Sequence, residues 1–151
     1  MTIGYITLPG PGATDACLAE AVARLRAAGL QRLAGTVQTN PPRPGRSHCD
    51  MDLQVLPEGP VLRITQDLGP HARGCRLDTG GLELAAALAA ARLDGAALLV
   101  VNKFGKQEAL GRGLVPLIAE ACARGIPVLV GVNGANLPAF LAFTGDMASA
   151  L

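Results

Sequence analysis

The chain carries two lysines among 151 residues, Lys103 and Lys106, and every other basic residue is an arginine. Both lie in the segment Asn102-Lys103-Phe104-Gly105-Lys106-Gln107-Glu108. Two strongly hydrated ammonium groups could neutralise a small anion, and Gly105 lets the backbone approach it closely. Glu108 could pair with a lysine, hold a metal through water or act as a base. The competing reading is a solvated turn that keeps the surface soluble. A second group is the turn Leu8-Pro9-Gly10-Pro11-Gly12-Ala13-Thr14. A glycine turn that opens a helix offers backbone N–H groups to phosphate, here from Gly10, Gly12 and Thr14. Arg43, Arg46, Arg73 and Arg76 form a third group, which could clamp an oxyanion by bidentate bonds if their loops cover the site. His48, Cys49, His71 and Cys75 supply four borderline ligands, enough for zinc. Residues 48 and 49 are adjacent, however, and on an extended chain point to opposite faces, so inert thiols are expected instead.

These groups need elements to hold them. Residues 3–8 predict a short buried strand. Leu18, Val22 and Leu25 recur at helical spacing after the glycine turn, with Thr14 or Asp15 as the cap and Gly29 as the stop. Residues 33–39 predict a second strand and 40–45 a proline-rich loop. Residues 51–66 predict an antiparallel hairpin, because Met51, Leu53 and Val55 alternate with Asp52 and Gln54. Asp78 should cap a helix over 80–92. Residues 96–101 form a continuous apolar run, the mark of a central strand. A helix should then lead to about 124, well formed from Leu114 because Pro116 suits a first turn. A strand over 128–132 and a helix over 137–143 follow. Strands alternating with helices predict a single α/β domain over 1–151, three-layered, with a mostly parallel sheet and the hairpin inserted or at an edge. Such sheets bind ligands at the carboxyl ends of their strands, and 102–107 should lie just beyond one.

Composition narrows the partners. A formal charge of +1 excludes a bulk electrostatic grip on nucleic acid, and 3% aromatic residues argue against base stacking. No apolar run approaches the ~18 residues of a membrane span. No basic, then apolar, segment opens the chain, so an export signal is not expected and the cysteines should be reduced in the cytoplasm. The alanine-rich stretch 82–91 could pack against the sheet or against a second copy in a homodimer.

A P-loop requires Gly-x-x-x-x-Gly-Lys-Ser/Thr. Gly12 and Thr14 match it, Thr7 replaces the first glycine, Ala13 replaces the lysine, and Pro11 removes a donor. The stretch Val101–Gly113, together with Gly74-Cys75-Arg76-Leu77-Asp78 and Gly125-Ile126-Pro127-Val128-Leu129, resembles the bacterial family domain of unknown function 2478 over nearly the whole chain. The same stretch is similar to the Asp-Glu-x-Gly-Lys-x-Glu box of small P-loop nucleoside-triphosphatases, which serves magnesium and water. Asn102 and Lys103 stand at its first two acids, while Gly105, Lys106 and Glu108 are kept. The resemblance implies a P-loop-like fold with a degenerate site, magnesium only together with a nucleotide, and a link to molybdenum uptake. The expected function is binding of a nucleotide, phosphate or molybdate-like oxyanion between the Gly10–Thr14 turn and the two lysines. The alternatives are a divergent nucleoside-triphosphatase using Glu108, and an interaction subunit with a vestigial site.

Overall fold

The computed structural model describes residues 2–69, 71 and 76–151. In chain order the elements are β1 (Ile3–Ile6), α1 (Ala13–Ala27), β2 (Leu33–Thr39), β3 (Asp52–Val55), β4 (Val61–Arg63), α2 (Thr79–Ala90), β5 (Leu98–Phe104), α3 (Lys106–Ala109), α4 (Val115–Ala123), β6 (Val128–Val132), α5 (Leu137–Thr144) and β7 (Ala148–Ala150). Among the described residues seven strands form one sheet in the order β4-β3-β2-β5-β6-β1-β7. The run from β2 to β7 is parallel, and β3 and β4 extend it as an antiparallel hairpin at one edge.

Two apolar cores make three layers. On one face Leu18 and Val22 of α1 pack on Leu33, Val37, Val100 and Leu129. On the other, α2, α4 and α5 cover Ala34, Leu99, Val101, Val128 and Val130. Adjacent residues of β5 thus enter opposite cores, as the pleat requires. Each fully buried Leu or Val contributes roughly 1.5–3 kcal/mol to holding these layers together.

The strands over 33–39 and 128–132 have the predicted limits, and Asp78 caps α2 by accepting from the Gly81 N–H at 3.1 Å. Several expectations are corrected. α1 is capped by Gly12, whose φ of 71° suits glycine, and not by Thr14 or Asp15. The Thr14 hydroxyl instead accepts from the Leu8 N–H at 3.0 Å and closes the turn. β5 continues through Asn102 and Lys103 to Phe104, so these residues belong to the strand and do not follow it. It continues because β2 offers polar partners to Asn102, and because Phe104 is buried edge-on against Phe140 with ring centroids 5.2 Å apart. The register shifts between Val101 and Phe104, which re-aims the intervening side chains. Ala85, Ala86 and Ala89 are the buried side of α2 and pack in the protein's own core, whereas Leu84, Ala87 and Ala90 are exposed. β7 was not anticipated; its Ala-Ser-Ala sequence gives too little pattern to read.

Candidate functional site

The turn between β1 and α1 meets the end of β5 across β6. β6 is thin at this point because it carries Gly131, where a Cβ would stand 2.5 Å from the Asn102 carbonyl oxygen and 3.1 Å from Thr14 Cγ2. The result is a cavity of about 260 Å³ bordered by Gly10, Gly12, Thr14, Asp15, Lys103, Gly131 and Asn133. Glycine-turn and Lys103 therefore share one space, as expected. The first turn of α1 has N–H groups without intrahelical acceptors, and the helix dipole adds partial positive charge there.

Asp15 sits among these donors. Its side chain is 7% exposed, and its Oδ2 lies 3.7 Å from Lys103 Nζ. The same oxygen ends a relay of polar side chains. Thr36 Oγ1 donates to Asn102 Oδ1 at 2.7 Å, and Asn102 Nδ2 donates to Gln38 Oε1 at 2.9 Å. Gln38 Nε2 donates to Asn40 Oδ1 at 2.8 Å, and Asn40 Nδ2 donates to Asp15 Oδ2 at 3.0 Å. All four bonds run in one direction and end on the carboxylate, so each polarises the next. Asp15 Oδ1 is buried and has no hydrogen-bond partner among the described residues.

A second cavity, of about 410 Å³, adjoins the first through Lys103 and Asn133. Met51, Ile64, Leu77 and Leu82 give it an apolar wall, while His48, Arg76, Gln38, Asn102, Gly105 and Lys106 supply polar groups. The two lysines thus divide. Lys103 borders both cavities and Lys106 borders the second alone, so they do not jointly face the glycine turn. Glu108 also reaches the second cavity, but its oxygens serve the backbone. Oε2 accepts from the Gly105 N–H at 3.0 Å and Oε1 from the Leu114 N–H at 3.2 Å. Burial pushes its pKa up, partly opposed by these backbone donors. Gly113 gives the carboxylate room: with φ at 60°, a Cβ there would stand 2.2 Å from Glu108 Oε1.

The arginine clamp is corrected. Arg43 pairs with Asp67 at 2.8 Å, Arg46 lies 3.5 Å from the same carboxylate, and neither borders either cavity. Arg76 does reach the second cavity, where it also donates to the Cys49 carbonyl at 2.9 Å. Arg73 and Cys75 lie outside the described residues. His48 borders the second cavity, whereas Cys49 and His71 are exposed. Among the described residues no three His, Cys, Asp or Glu side chains gather to hold a metal.

Residues 3–151 match the family described as protein of unknown function (DUF2478). The chain belongs to this family. Its sequence is also 41% identical over 140 residues to molybdenum import ATP-binding protein ModC 2 of Bradyrhizobium diazoefficiens, covering 91% of the chain. The chain spans 15% of that relative's length. The fold is similar to the crystal structure of THEP1 from the hyperthermophile Aquifex aeolicus, with a TM-score of 0.70 and 15% identity. That similarity covers 100% of this chain and 88% of the other. The DUF2478 chain therefore has a P-loop-NTPase-like α/β fold.

Within that fold the charges are exchanged. By the sequence resemblance, Ala13 stands at the P-loop lysine position and Asn102 and Lys103 stand at the acidic positions of the box. The lysine instead comes from β5, and the acid, Asp15, comes from α1. Asp15, Gln38, Asn40, Gly131 and Asn133 were not among the predicted site residues. One signal was present: Thr36, Gln38 and Asn40 alternate along and just beyond β2, a period-2 polar row in an otherwise buried strand.

Proposed function

We propose that the chain acts as one α/β domain that binds an oxyanion in the first cavity: the phosphate of a nucleotide, free phosphate or a molybdate-like ion. The observation that carries this reading is Lys103, which borders the same cavity as the glycine turn and the start of α1. One ammonium and several backbone donors suit a small anion. The cavity, about 260 Å³, would take the anionic group, with any organic remainder directed toward the neighbouring space bordered by Lys106, Gly105 and Arg76.

The residues present do not fit the magnesium ion of a P-loop nucleotide site. That ion is held by the loop hydroxyl and a strand acid. Here the Thr14 hydroxyl is engaged by the Leu8 N–H, and the strand positions hold an amide and an ammonium. Glu108, the expected water-positioning group, is held by two backbone N–H groups. We therefore read the domain as a binding or accessory module without hydrolytic activity, working in the cytoplasm. No helix among the described residues is long and apolar enough to cross a membrane. A role in molybdenum import is favoured by the relative named for that process, of which the chain matches a small part. That partial match also favours a second reading, an interaction module that serves a larger assembly.

The test is isothermal calorimetry with phosphate, ATP, GTP, molybdate and tungstate, with and without magnesium. Binding of at least one, weakened by salt, is expected. Silence from all five would refute the reading. Phosphate release should stay at background in the wild type and in Glu108→Ala alike.

A further inference from the structure

The first cavity is not purely cationic, because a carboxylate is built into its wall. Asp15 is held in place by Asn40 at the end of the side-chain relay and faces Lys103, yet its Oδ1 lacks a hydrogen-bond donor among the described residues. A carboxylate bordering the cavity favours a ligand that brings a hydrogen-bond donor. A ligand that brings only lone pairs meets electrostatic repulsion instead. Oxyanions divide on this point. At neutral pH inorganic phosphate keeps at least one proton, whereas sulfate and molybdate are bare dianions.

We propose that Asp15 makes the first cavity selective for an oxyanion that carries its own proton, of the hydrogen phosphate type, over bare oxyanions such as sulfate and molybdate. The inference rests on the oxyanion-binding reading above and narrows it. Lys103 and the α1 N–H groups hold the unprotonated oxygens, and the ligand O–H donates to Asp15.

The experiment titrates the wild-type protein with phosphate, arsenate, sulfate and molybdate at neutral pH in the presence of a chelator. Arsenate separates protonation from size, because it is larger than phosphate but also keeps a proton. Phosphate and arsenate should bind at least about tenfold more tightly than sulfate and molybdate, the effect of one charge-assisted hydrogen bond. In Asp15→Asn, which is similar in shape and can donate as well as accept, the preference should shrink to within about threefold as sulfate and molybdate gain affinity. Equal binding of all four ions by the wild type, or tighter binding of molybdate, overturns the selection while leaving oxyanion binding intact. An unchanged preference in a folded Asp15→Asn protein also overturns it. Phosphate binding that vanishes with the chelator and returns with magnesium overturns it in favour of Asp15 as a metal ligand. Binding of none of the four overturns both this inference and the reading beneath it. If the Asn variant does not fold, the wild-type series decides alone.

Discussion

Asp15 and Glu108 are both buried carboxylates at the carboxyl end of the sheet, 6% exposed each, and Asp15 alone is paired with a lysine, Lys103. They differ in what satisfies them. Glu108 accepts from Gly105 and Leu114 with its two oxygens and ties the start of α3 to the start of α4. Asp15 has one oxygen engaged by Asn40 and Lys103, and the other unpartnered among the described residues. A carboxylate fully matched to backbone donors braces the fold. One that is half matched, on the wall of a cavity, is poised for a ligand. The acid that the motif pattern singles out is the brace, and the acid it passes over borders the site.

The sharpest way to break this contrast is Glu108→Ala. It strands two N–H donors and should lower unfolding free energy by about 2–5 kcal/mol, read by chemical denaturation. A variant as stable as the wild type would remove the brace. Lys103→Ala should act in the opposite sense, on binding first: oxyanion affinity should fall at least about tenfold, measured by calorimetry. Next comes the pH response. Because burial raises the Glu108 pKa in the folded state above the ordinary value of a glutamate, the folded state holds that proton more tightly than the unfolded chain. The stability this contributes is complete below the unfolded pKa and is lost as pH rises through the folded one. Denaturation midpoints should therefore show a downward step above about pH 4.5 that is absent in Glu108→Gln. The smallest effect is expected from Arg43→Ala, which removes a partly exposed ion pair with Asp67 and a 3.8 Å approach to the buried Asp50, a carboxylate that Arg63 still meets at 3.1 Å. It should change stability little in chemical denaturation and leave oxyanion affinity unchanged. A large loss of affinity would restore the arginine clamp.

Much of the fold was legible in the sequence, because β2, β6 and the Asp78 cap announce themselves through apolar runs and one well-placed carboxylate. The end of β5 was not, since Asn102 and Lys103 break the apolar run on which strand reading depends. The sheet continues there because Thr36 and Gln38, more than sixty positions away, match the amide. The site was legible in part. The Gly10–Thr14 turn and Lys103 do meet, as chain order in an α/β fold suggests. The rest depends on contacts among positions 15, 38, 40 and 102 that spacing along the chain does not encode. The period-2 polar row at 36, 38 and 40 was the available hint. Proximity in sequence groups Lys106 with Lys103, but across the strand-to-helix break at Gly105 only Lys103 reaches the first cavity, and Lys106 borders the second alone.

That division gives the most direct test. Inorganic phosphate is titrated into the wild type, Lys103→Ala and Lys106→Ala, with binding read by calorimetry at low salt. The account predicts binding to the wild type, at least about tenfold weaker binding to Lys103→Ala, and near wild-type binding to Lys106→Ala. An equal loss in both variants, or a greater loss in Lys106→Ala, would contradict the assignment of the oxyanion to the cavity between Gly12 and Lys103.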